Sequence, residues 1–242
     1  VLKGIPLTTI TLFRYPTKHV FWALSQMQRA HSELRSVPGL KFYKLMGSGG
    51  SGGFGLWPNW HVFALLGVWE SLDAFRAYQT ENAFAQKSSA RVTEQFTTFL
   101  TPLKTHGLWN GENPFVSLPE QVIPENVPVA VLTRARIRLR RLREFLKHVP
   151  EASASLKEQE GLILSIGVGE VPLIYQATFS VWQNMEAVKQ YAYRNPAHGQ
   201  VVRKTRDRDW YSEEMFTRFR VEGMEGTWDG VKMDRLVNFR PT

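Results

Sequence analysis

The chain has 242 residues, 43% of them hydrophobic and 21% charged, which excludes disorder as its general state and allows one large domain or two small ones. Its formal net charge of +8 favours an anionic partner, a membrane surface or an acidic cofactor without choosing among them. With no cysteine, disulfides, cysteine metal sites and a thiolate haem ligand are excluded.

The opening "VLKGIPLTTITLFRYP" lacks the pattern of a secretory signal, and no apolar run reaches the roughly 18 residues of a spanning helix. The expectation is a cytoplasmic protein whose membrane contact, if any, is peripheral. In chain order, "TTITLFRY" reads as a strand and "VFWALSQMQRAHSEL" as a helix. "GLKFYKLMG" and "HVFALLGVW" read as strands, and "SLDAFRAYQT" opens a helix capped by Ser71. The proline-rich "GENPFVSLPEQVIPENVP" has no helical period and reads as a linker, placed at 112–127. The order then recurs as "PVAVLTRARI", "LRRLREFLKHV", "GLILSIGVG", "LIYQATFSVW" and "NMEAVKQYAYR".

This recurrence is a tandem duplication. Residues 68–86 align with 181–199 without a gap: Trp69 matches Trp182, Tyr78 matches Tyr191 and Asn82 matches Asn195, at 182 − 69 = 113. "LMGSGG" pairs with "SIGVGE" at 167 − 47 = 120, and "LWNG" (108–111) pairs with "TWDG" (227–230) as the closing element. The fold class is therefore α+β: tandem ferredoxin-like repeats, 5–111 and 128–242, forming an intrachain dimeric α/β barrel.

One histidine stands out. His198 aligns with Ala85 at 198 − 85 = 113, so it belongs to the second copy alone. Asn195 suits an N-cap and Pro196 the first helical position, which puts His198 in the first turn of a helix, where the dipole disfavours imidazolium. A neutral imidazole can ligate a metal or haem iron. The bland alternative is a histidine in a helical turn with no ligand role.

Three other stretches carry weaker signals. "GSGGSGGFG" (47–55) lacks the Gly-Lys-Ser/Thr ending of a phosphate loop and reads as a strand connection or substrate lid. In "RARIRLRRLREFLKH" (134–148) the positions Leu139, Leu142, Leu146 and Val149 keep helical spacing, so the basic residues form the solvated face of a packed helix, not a nucleic-acid arm. That face could touch anionic lipid. Glu170, in "GVGEVP", is a lone carboxylate in a glycine-flanked turn.

The motifs "GLKFYKLMGSGGSGGF", "HVFALLGVWES", "FLTPLKTHGLWNGENPF", "VAVLTRARI", "IGVGEVPLIYQATFSVW", "NPAHGQVVRKTR" and "DWYSEEMFTRF" together resemble the spheroidene monooxygenase family, from about Thr8 to Gly230. The resemblance implies a protein of haem b that uses dioxygen and electrons from reduced ferredoxin. Its substrate would be an acyclic carotenoid, oxygenated at the C-2 end region to hydroxyl and then ketone. It maps the family histidine onto His198 as the iron ligand. A haem so bound needs basic partners for two propionates and a distal donor. Arg134, on the parity of Leu132 in the first strand of the second copy, is the candidate for either role, or else a strand end in solvent; Lys44 and Arg14 are weaker candidates of the same kind. Two other classes stay open: another haem enzyme of the same barrel, such as an aldoxime dehydratase-like catalyst, and a non-enzymatic haem-binding protein.

Overall fold

The structure is a computed structural model describing residues 6–50, 57–115, 126–147, 156, 159–171, 174–194, 208 and 210–234. The first copy runs β1 (Leu7–Arg14), α1 (Val20–Leu34), β2 (Leu40–Gly49), β3 (Pro58–Trp69), α2 (Leu72–Glu81), α3 (Ala83–Ser89) and β4 (Glu94–Gly107). The second runs β5 (Val129–Ile137), α4 (142–147), β6 (Leu162–Val171), β7 (Tyr175–Trp182), α5 (Met185–Lys189) and β8 (Tyr211–Trp228), followed by the short β9 (Val231–Lys232).

The strands lie in the order β4-β1-β3-β2-β6-β7-β5-β8, and β4 also pairs with β8, so eight antiparallel strands close into a barrel. Each copy contributes four neighbours in the same internal order. The two seams between copies differ. One runs from Phe96 opposite Gly226 to Gly107 opposite Met215; the other holds only Gly47 opposite Gly169 and Ser48 opposite Val168.

Strand alternation sends one set of side chains inward and the other outward. Ile10, Leu12, Ala64, Leu66, Ala130, Leu132, Phe179 and Phe219 pack into one interior cluster. Leu7, Phe13, Phe63, Leu65, Trp69 and Phe99 face out and bury against α1, α2 and α3 of the first copy. On the second copy the outward Val129, Val131 and Trp182 meet Ala187 and Val188 of α5.

The duplication is visible in small contacts. Ser71 and Asn184 cap α2 and α5 by accepting from the amides of Ala74 and Ala187. Gly39 and Gly161 hold φ of +75° and +80°, and a Cβ on either would come within 2.7 Å of the Cβ of Ala74 or Ala187. The buried indoles show a compensated exchange. Trp69 Nε1 donates to Thr9 Oγ1 at 2.8 Å over Gly67; in the second copy Val131 replaces Thr9, and Ser180 replaces Gly67 and accepts from Trp182 Nε1 at 2.9 Å.

Two sequence expectations change. Tyr15 N donates to His61 O as Ile137 N does to Ile174 O, and Gly39 matches Gly161, so the early strands correspond at 161 − 39 = 122, not 120. Glycine recurs every second residue there, and a two-residue slip keeps every side chain on its face, so pattern alone does not reveal it. Leu139 is 70% exposed, in a 3-10 turn ahead of α4, and does not join the packed face.

Candidate functional site

With strands matched by register, the outward faces of the two copies differ in bulk. Phe13 corresponds to Ala135, Phe63 to Gln176, Leu65 to Thr178, Tyr43 to Ser165, Leu45 to Gly167 and Phe99 to Arg218. On the helix above, Phe75 corresponds to Val188. Thr97, replaced by Phe216, Thr101, replaced by Arg220, and the small exchanges Thr9 to Val131 and Gly67 to Ser180 run the other way. Thr11 and Thr133 hold the same place at mid-strand. Thr11 is 4% exposed, whereas Thr133 is open to solvent and Ser165, Gln176, Thr178 and Phe216 are half-buried. The first copy fills the layer between sheet and helices with aromatic and aliphatic side chains; among the described residues the second supplies smaller and partly polar ones.

Helix geometry changes beside this face. In the first copy α2 stays α-helical to Glu81 and Asn82 then caps α3, accepting from Phe84 N at 3.0 Å and Ala85 N at 3.2 Å. In the second, α5 is followed by a π-type turn over Gln190–Arg194, a form found mostly at functional sites. Tyr191 still lies 5.4 Å from the Trp182 ring, as Tyr78 lies 4.9 Å from Trp69. His198 itself lies outside the described residues. Its counterpart Ala85 is 6% exposed, packed in the layer under the helices of the first copy.

Arg134 is 1% exposed and shares the inward parity of Ala130 and Leu132, which removes the reading of a strand end in solvent. Its guanidinium bonds Glu213 and, at 3.0 Å, Asn110 Oδ1, and sits over the rings of Trp109 and Tyr175. Burial opposes ionisation of Glu213. The Asn110 amide, the Arg134 guanidinium and the Gly111 amide outweigh it and hold the carboxyl below its ordinary value. Next to them, Glu170 accepts from Trp109 Nε1 at 2.8 Å and meets Lys44 Nζ at 3.1 Å, so both are occupied inside the barrel end. Arg14 closes the opposite end with Glu94 and Asp229, over Trp228.

The residues missed from sequence are Thr133, Ala135, Ser165, Thr178 and Arg218. Comparing the two copies one strand face at a time would have found them, since the exchange of large for small falls on a single parity. Among the described residues no group of three or more His, Cys, Asp or Glu could hold a metal ion, and no helix is long and apolar enough to cross a membrane.

No family model matches the chain. It is 36% identical over 229 residues to spheroidene monooxygenase of Rhodobacter capsulatus, covering 93% of this chain and 94% of that protein. To the spheroidene monooxygenase of Cereibacter sphaeroides it is 32% identical, over 92% of this chain and 68% of the relative. To that of Rubrivivax gelatinosus it is 33% identical, over 86% and 79%. Among solved structures, an aldoxime dehydratase superposes with a TM-score of 0.62 at 12% identity, covering 90% of this chain and 81% of that one. This likeness concerns the barrel fold.

Proposed function

The chain belongs to the spheroidene monooxygenase family of oxygenases, and from that premise we propose that it is a haem-dependent carotenoid monooxygenase. In this reading it takes an acyclic carotenoid, dioxygen and electrons from reduced ferredoxin, and oxygenates the C-2 end region of the substrate. The observation that carries the haem assignment is the thinned outward face of the second copy, where Thr133 is open to solvent and its counterpart Thr11 is buried.

Haem b, when bound, supplies the activation of dioxygen. The chain's part is to hold and enclose it. His198, which lies outside the described residues, would provide the iron ligand; its sequence counterpart in the first copy is Ala85. Val131, Trp182, Val188 and Phe216 would give apolar walls that exclude water, and Ala135 and Gly167 carry less bulk than their counterparts Phe13 and Leu45. Arg134 lies on the other side of β5, with its guanidinium already committed, so we give it a positioning part: it fixes the ends of β5 and β8, the strands that carry Thr133 and Arg218.

A substrate of long apolar chains also requires access from a bilayer. Phe21, Trp57 and Trp60 are 86%, 83% and 51% exposed, near the barrel end where β1 passes to α1 and β3 begins, and we assign the peripheral membrane contact to them. The test of the whole reading is direct. The purified protein should show a Soret band and ferredoxin-dependent oxygen uptake with an acyclic carotenoid, yielding the C-2 hydroxyl and ketone. A missing Soret band overturns the haem assignment. A haem protein that dehydrates an aldoxime and takes up no oxygen favours the dehydratase-like alternative.

A further inference from the structure

Arg218 is the residue least explained by its surroundings. It lies on β8 opposite Val131, on the outward face, where register puts it in the place of Phe99 at 218 − 99 = 119. Phe99 is 0% exposed and stacks edge-on against Phe75 at 5.5 Å. A cation has thus replaced an aromatic ring in the middle of a sheet-to-helix layer.

Among the described residues that cation has no counter-ion. Arg218 Nη1 reaches only Met185 Sδ, at 3.9 Å, its guanidinium lies 5.6 Å from the Phe216 ring, and its Nε is out of water with no hydrogen-bond partner. Among the described residues it makes no ion pair. Its neighbour two residues on behaves otherwise: Arg220 Nε meets Glu222 at 2.7 Å. Arg14 and Arg134 each hold a glutamate as well. Arg218 is half-buried with its Nε out of water, and a guanidinium partly withdrawn from water is stabilised by an anion, so the place suits an anionic ligand.

We propose that Arg218 receives a propionate carboxylate of the haem, which deepens the haem reading given above and rests on it. The geometry favours a planar carboxylate, because the guanidinium offers a rigid fork of donors that a carboxylate meets with two parallel bonds. Among the described residues the layer around it carries less bulk than in the first copy, which suits an anion borne by a broad group. Apolar Val131, Phe216 and Met185 border the arginine, which suits a ligand that is largely hydrocarbon with acidic ends.

The experiment titrates the full-length apoprotein with haemin and with haemin dimethyl ester, whose propionates are capped, and reads Soret absorbance. The Arg218→Leu variant should bind haemin about tenfold more weakly than wild type, or worse, and bind the ester as well as wild type does. Arg218→Lys should recover part of the haemin affinity, since it restores the charge without the fork. The apo Arg218→Leu protein should melt no lower than wild type, as a cation without a partner has been removed. Equal haemin affinity in wild type and Arg218→Leu overturns the proposal while leaving the haem reading intact. So does an equal loss for haemin and ester, which would mean that shape matters and charge does not. A wild-type protein with no Soret band in either titration overturns the haem reading itself.

Discussion

Thr11 and Thr133 stand at the same point of the same strand in two copies of one fold, yet the first is sealed under helices and the second meets solvent. The difference is made by their neighbours. Around Thr11 stand Phe13, Phe63, Leu65, Tyr43 and Phe99; around Thr133 stand Ala135, Gln176, Thr178, Ser165 and Arg218. Closing contacts such as the glycine-on-alanine approaches and the buried tryptophans are kept in both copies. A duplicated barrel can therefore hold its framework with one copy's outer layer and spend the other's on a ligand. In the proposed reading, stability and binding are divided between halves that share a backbone plan.

The largest effects should come from exchanging the two layers. If His198 holds the iron as proposed, His198→Ala should abolish haem binding, because that reading makes the imidazole bond the strongest tie to the haem. Ala85→His in the first copy should create no second haem, since Phe13, Phe99 and Phe75 already occupy that layer. The double change Ala135→Phe with Thr178→Leu should refill the second layer and leave a folded apoprotein that takes up little haem. Haem per chain, measured by pyridine haemochrome with circular dichroism as the fold control, tests all three. Full occupancy in the refilled variant would move the haem elsewhere.

Next comes the cost of thinning the first copy to match the second. Phe13→Ala removes a ring that is 4% exposed in a closed layer and should destabilise the protein by about 3–5 kcal/mol in urea unfolding. The reverse change, Ala135→Phe, adds a ring at a residue that is 6% exposed and should cost the apoprotein less, about 1–3 kcal/mol. Similar losses at both positions would show that the two layers are equally packed.

How much of this was legible beforehand follows from which signals have a unique alignment. Trp69 and Trp182, with the capping Ser71 and Asn184, tie the copies together without ambiguity, and the barrel follows from the order of elements. The glycine-rich strand did not, since a slip of two residues preserves alternation and only the strand register, with Gly39 matched to Gly161, resolves it. Parity with Leu132 offered a buried Arg134 beside the alternative of a strand end in solvent, and its partners come from a turn at 108–111 and from β8, far off in sequence. Arg218 carried no motif at all. Its meaning lies in the absence of Phe99's counterpart, which becomes visible once the register fixes the match.

The barrel ends give a second, smaller version of the comparison. Each carries a Trp-Asx-Gly turn with the Asx residue at positive φ, 55° for Asn110 and 51° for Asp229, an arginine under the indole and a glutamate beside it. At one end Arg14 is 33% exposed; at the other the guanidinium comes from Arg134, the register counterpart of Leu12, and is buried. Arg134→Leu should therefore cost about 3 kcal/mol by leaving Glu213 without its cation. Arg14→Leu should cost no more than about 1 kcal/mol, the usual worth of an exposed pair. Haem content should stay unchanged in both. Haem loss in Arg134→Leu at wild-type stability would make Arg134 a haem contact after all.

The smallest expected effect is the pH response of the buried end. Glu213 loses solvation on folding, but the amides of Asn110 and Gly111 and the Arg134 guanidinium more than compensate, so its folded-state pKa lies below the ordinary value. A carboxyl whose pKa is depressed by folding contributes stability that is present above the unfolded-state pKa and is lost as pH falls through the folded one. The contribution should thus be complete at neutral pH and fade once pH drops below the ordinary glutamate range, about 4.3. Glu213→Gln keeps the shape and removes the titration, so it should melt below wild type at pH about 7 and approach it at pH about 3. Thermal midpoints of the two apoproteins across that range measure the gap directly. A gap of constant size would mean that Glu213 acts at this end through its shape and its neutral hydrogen bonds, with no share for its charge.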